Sequence, residues 1–188
     1  MRFFRDCGLY SLARAALDQS RQHLARMGFS DTYGHRLDTI DLQIRQREFE
    51  GHGGSNAELE VLIEDAVRNG AAVLERHDET APAALVVGQL LNLGKKRDTK
   101  IPSRADAILA QLCEHAGGNL GSFAKTNSAD SVSATELFNL VKVRAAARYS
   151  DDVGYDMRDV AVLASRALAN DQYIQHAIET SFALELLG

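Results

Sequence analysis

The sequence predicts an all-α fold: stacked helical hairpins, about eight or nine helices in all, arranged around one central apolar helix. Three observations predict it. Apolar residues recur with the 3.6-residue period of amphipathic helices along the whole 188-residue chain. Only two prolines occur, Pro82 and Pro102, so little interrupts long helices, where an interior proline costs about 3 kcal/mol. No alternating run of β-branched residues offers a competing strand.

Taken in order, the first stripe is Leu9, Leu12, Ala13, Ala16, Leu17, Ser20, Leu24 and Met27. A second helix is expected over 33–49, with Leu37, Ile40 and Ile44 on its apolar face and Arg36, Gln43 and Arg47 on a polar stripe opposite. Leu59, Leu62, Ile63, Ala66, Val67, Gly70, Val73 and Leu74 give a third. The segment "APAALVVGQLLNLG", 81–94, is apolar on every face and must therefore be surrounded, which makes it the central helix, with Gly88 permitting close approach of another backbone. Further stripes follow: Ala105 to Ala116, Leu137 to Tyr149, Val160 to Leu168 and Ile174 to Phe182.

Boundary chemistry agrees with this periodicity. Ser55 with Glu58, Ser103 with Asp106, Ser133 with Glu136 and Asp156 with Asp159 each place a short acceptor at a helix start and an acid three residues on. Gly28, Gly51 and Gly117 follow the last periodic residues of their helices, where a left-handed cap suits glycine. Two connections are longer, at 50–56 and 117–131. The chain length fits one domain over 1–188, with a possible sub-boundary at 117–131.

Composition narrows the function. Hydrophobic residues make up 45% and charged residues 25%, as in ordinary globular proteins. The net charge of -5 argues against a nucleic-acid binder, which needs basic groups to displace counterions from phosphates. Residues 151–188 account for that charge, with seven acids against Arg158 and Arg166. No stretch approaches the roughly 20 apolar residues of a membrane span. Cys7 and Cys113 lack C-x-x-C spacing or a histidine pair, so no cofactor, zinc or disulfide is expected and the compartment is read as a reducing cytosol. Abundant alanine, and arginine in excess of lysine, point to GC-rich coding and a bacterial source.

The stretch "FFRDCGLYSLARAALDQSRQHLARMG", with Gly8, Ala13, Leu17 and Ser20, resembles the second helix of a tetratricopeptide repeat, in which a small residue is followed four positions later by a large one. The resemblance covers about residues 3–28; the first-helix Trp, Leu, Gly and Tyr positions would fall before Met1, and the closing proline is absent. It implies a scaffold or protein-interaction module that is part of, or partner to, a larger bacterial protein, and on that reading this chain is expected to be the C-terminal part. It also implies that the helix carrying Arg36, Gln43 and Arg47 binds peptide carboxylates, which arginine pairs in bidentate fashion. On that reading Phe3, Phe4 and Leu9 lose the cover of an upstream helix and serve self-association or docking.

Other motifs offer chemistry but each has a simpler reading. Asp151, Asp152 and Asp156 have the D-D-x-x-x-D form that resembles the magnesium-binding motif of helical prenyl and terpene synthases, the alternative of a small magnesium-dependent enzyme. No second acidic motif accompanies it and there is no tryptophan, so a loop followed by an Asp156 cap is the simpler reading. "RHDET", 76–80, contains a His-Asp pair without the supporting histidines of metal phosphohydrolases. "GGNLGS", 117–122, lacks the strand that must precede a phosphate loop. "KKRDTK", 95–100, reads as a solvated loop whose charges favour a helix C-terminus. The expectation is therefore a non-catalytic interaction module, with no catalytic residue assigned.

Overall fold

The computed structural model describes Arg5 and residues 7–76, 80–124 and 134–149, with side chains described throughout except at 117–124 and 134–138. It is all-helical over these residues, with no strand among them. Six helices appear in order: α1 Tyr10–Arg26, α2 Ser30–His52, α3 Asn56–Arg76, α4 Thr80–Arg97, α5 Ala105–Ala124 and α6 Ala134–Ala147. The stripes at 160–168 and 174–182, and the caps at Ser133 and Asp156, lie outside the described residues, so six is the count of the described part alone.

Helix α4 occupies the centre. It packs against α3, α5 and α6 and more lightly against α2. Ala81, Ala83, Ala84, Val86, Val87, Leu90 and Leu91 are all buried, as an all-round apolar helix requires. Pro82 falls in the first turn, where no intrahelical N–H bond is lost. One core unites α2 to α6: Phe49, Leu59, Ile63, Val67, Leu90, Leu109 and Leu112 belong to it, and so do Val143, Ala146 and Ala147 of α6. The connection after Ala124 thus does not divide the described residues into two cores.

Helix α1 stands apart. Its only substantial neighbour among the described residues is α2. Together they enclose a small separate cluster, Ala13, Leu17, Leu37 and Ile44, with Tyr10, Leu24 and Ile40 packed around it.

Helix ends follow local chemistry. Ser55 and Glu58 form a reciprocal capping box: Ser55 N donates to Glu58 Oε2 at 2.7 Å and Glu58 N to Ser55 Oγ at 3.3 Å. Helix α1 closes in a Schellman turn, with Phe29 N donating to Leu24 O at 2.9 Å and Gly28 N to Ala25 O at 3.2 Å. Gly28 takes φ +73°, as that turn demands.

Three boundary expectations need correction. Gly51 lies inside α2, and the left-handed cap is Gly53 at φ +66°, because the helix runs two residues further before turning. Gly117 lies inside α5, which continues through "GGNLGSFA" to Ala124. Asp106 receives Lys95 Nζ at 3.3 Å in place of a cap bond at Ser103, while Ala105 N donates to Pro102 O at 2.9 Å.

Candidate functional site

The features most open to a partner belong to the α1–α2 hairpin. Ala13 and Leu17 are fully buried against Leu37 and Ile44, the small-then-large pair that brings two helices close. Polar contacts line this seam. Arg21 NH2 donates to Asp38 Oδ1 at 3.0 Å, and Arg14 pairs with Glu48. Tyr10 OH donates to the Arg47 carbonyl at 3.1 Å, and Arg5, ahead of the helix, donates to Gln43 Oε1.

The outer flank of α1 has no such cover from α2. Leu9 is 45%, Leu12 50% and Met27 53% exposed, and their spacing puts them on the side of the helix away from Arg14 and Arg21. Beyond the turn Phe29 meets Tyr33 edge to face at 6.0 Å, and the Arg36 guanidinium sits 5.3 Å from the Tyr33 ring centre. The sequence-expected stripe on α2 is thus distributed rather than open: Arg36 lies over Tyr33, Gln43 takes Arg5, and Arg47 pairs with Glu50 at 3.1 Å. Of the expected apolar anchors, Leu9 is placed on this flank, whereas Phe3 and Phe4 lie outside the described residues.

A groove runs along the opposite side of α2, between α1 and α3. Its larger part, about 720 Å³, has Phe49 and Leu62 at its base and Arg14, Glu48, His52 and the exposed Val61 at its rim. A smaller part of about 290 Å³ continues past Arg45 to Asp38, Asp41 and Arg68. Arg45 bridges to Asp65 at 2.8 Å, and Asp65 in turn holds Arg68 at 2.6 Å. Sequence reasoning missed this groove, although Asp38, Asp41, Arg45, Glu48 and His52 recur at helical spacing and so share one face of α2.

The remaining motifs take ordinary structural roles or lie beyond description. Much of the basic cluster is engaged by neighbouring elements: Arg97 NH1 donates to Gly54 O at 2.7 Å and stacks 4.9 Å from the Phe49 ring centre, the Lys100 amide donates to Glu60 Oε1 at 3.1 Å, and Arg104 pairs with Glu64 at 2.8 Å. "GGNLGS" is helical backbone within α5, not a phosphate loop. Arg76 of "RHDET" donates to the Asp31 carbonyl, while 77–79 lie outside the described residues, as do Asp151, Asp152 and Asp156. Cys113 is buried, its Sγ 3.8 Å from the Val143 carbonyl, and burial pushes its thiol up to about 12 against the opposing pull of the Arg144 charge. Such a thiol is not a nucleophile at neutral pH. Cys7 is exposed. Among the described residues no group of three or more potential metal ligands is found, and no helix is long and apolar enough to cross a membrane.

No family model matches the chain, and neither a curated protein nor a solved structure is significantly similar to it.

Proposed function

We propose that this protein is a non-catalytic helical scaffold or protein-interaction module whose contact element is its N-terminal helix. The observation that carries the proposal is the outer flank of α1, where Leu9 and Leu12 stand 45% and 50% exposed on a helix whose only substantial neighbour among the described residues is α2. Exposed apolar edges of this kind seek partners. The tetratricopeptide-like reading belongs to the same proposal, supported by the close packing at Ala13 and Leu17. Arg36, Gln43 and Arg47 lie on α2 of the same hairpin, where they engage Tyr33, Arg5 and Glu50. Both thiols are free, in keeping with a cytosolic setting.

The simplest engagement is self-association with the same patch used twice. Replacing Phe3, Phe4 and Leu9 with serine tests it. Helicity by circular dichroism should stay nearly unchanged, and any oligomer seen in sedimentation should become monomeric. A chain that is already monomeric at high concentration, and that the triple change strongly destabilises, keeps those residues in its own core and refutes the proposal.

A further inference from the structure

The α1–α2 seam is self-contained in a way that bears on how two copies would meet. Its apolar cluster is separate from the main core, to which α1 contributes no residue. Every described polar tie of α1 across the seam ends on α2: Tyr10 on Arg47, Arg14 on Glu48, Arg21 on Asp38. The connection is short, only Met27, Gly28 and Phe29, and its bend depends on the left-handed Gly28. On the far side of that bend α2 begins without a side-chain cap, since Phe29 occupies the capping position, so opening the turn forfeits no side-chain cap bond there.

These observations lead beyond a surface patch. We infer that α1 is an exchangeable arm, and that in a dimer the α1 of one copy lies on the α2 of the other across the same seam. The inference rests on the proposal that the protein self-associates through its N-terminal helix, and it names the partner surface. The occupant is a second copy of this chain because a second α1 reproduces each contact: leucine and alanine on Leu37 and Ile44, and arginines on Glu48 and Asp38. The pairings are spaced about evenly on either side of the Gly28 turn, so a two-fold axis near that turn can relate two exchanged arms and close the assembly. Both seams are then filled, and the flank carrying Leu9 and Leu12 is carried into the dimer with the arm.

Charge reversal on opposite sides of the seam distinguishes exchange from simple apposition. One chain carries Arg14→Glu and Arg21→Glu; a second, differently tagged, carries Asp38→Lys and Glu48→Lys. Each chain alone then has like charges facing each other across its own seam. In an exchanged heterodimer both seams regain opposite charges, one reversed pair and one native pair. The two chains are mixed, incubated until subunit exchange is complete, and analysed by native mass spectrometry, with circular dichroism confirming that each retains its helices. For chains mixed in equal amounts random pairing gives as much heterodimer as the two homodimers together, and the expected result is a heterodimer-to-homodimer ratio several-fold above that. Dimers formed only in random proportion would overturn the exchange and leave self-association by flank contact standing. Unmodified protein and mixture that stay monomeric throughout would overturn both.

Discussion

A Cβ placed on Gly88 would lie 3.3 Å from the carbonyl oxygen of Ala146 and 3.4 Å from its Cα, so α4 and α6 meet backbone to backbone at this point. Tyr149 closes the gap from the other side, with its Cδ2 3.0 Å from the same position. The central helix is therefore held not only by its apolar side chains but by the absence of one.

Gly88→Ala should destabilise the protein although alanine is the better helix former. Overpacking costs about 1–3 kcal/mol, and the gain in helix propensity returns about 1 kcal/mol. Gly34→Ala is the control, since nothing lies within 4 Å of its added Cβ and its φ is not positive; it should stabilise by about 0.5–1 kcal/mol. Urea midpoints at unchanged slope measure both.

Leu90→Asp should abolish cooperative folding. Leu90 is fully buried in the central helix, and an unpaired charge there has no compensating partner. Leu12→Asp, at a half-exposed site, should change stability by less than about 1 kcal/mol while weakening self-association. Equal tolerance at the two positions in thermal melts would contradict the assignment of core and contact surface.

Ser55→Ala should cost about 1 kcal/mol, because its hydroxyl and the Glu58 carboxylate satisfy each other's backbone amides at the start of α3. The similar-looking Ser103 should be replaceable by alanine within about 0.5 kcal/mol, since Asp106 is engaged by Lys95. Chemical denaturation of the two variants separates a capping box from its sequence likeness.

Cys113 should make folding weaker at high pH. Its folded thiol is raised from 9.0 to about 12, so below pH 9 both states hold the proton and no dependence arises. Between about pH 9 and 12 the unfolded chain loses a proton that the folded one keeps. Stability then falls with rising pH, by at most about 1.4 kcal/mol per unit. Cys113→Ala should flatten that part of the profile. In native protein a thiol reagent should modify Cys7 promptly and Cys113 only after unfolding.

Those contrasts mark what the sequence can and cannot reveal. The central helix was legible because surrounding a segment on all sides leaves it apolar on all faces. The Ser55–Glu58 box and the Gly28 turn were legible because local backbone chemistry dictates them within a few residues. Glycine spacing misled at Gly51 and Gly117, where tertiary packing carries a helix through residues that alone would end it. Arg97 resting on Phe49, and Arg45 shared between the two parts of the groove, depend on residues tens of positions apart. No local pattern encodes such pairings. On α1 the exposed Leu9 and Leu12 appeared in the same stripe as the buried Ala13 and Leu17; only the position of α2 divides that stripe into core and surface.

The tethering of residues 97–104 has a consequence for how the protein is degraded. Lys95, Lys96, Arg97, Lys100 and Arg104 place five trypsin sites within ten residues, the densest such target in the sequence. A protease must draw several residues of backbone into its cleft in extended form, so exposed side chains alone do not make a site. Here the Asn56 amide holds the Arg97 carbonyl, Glu60 holds the Lys100 amide and Glu64 holds Arg104, all from α3. Cleavage in this stretch therefore waits on its release from α3, and the segment that looks most vulnerable on paper is shielded for as long as that helix stays in place.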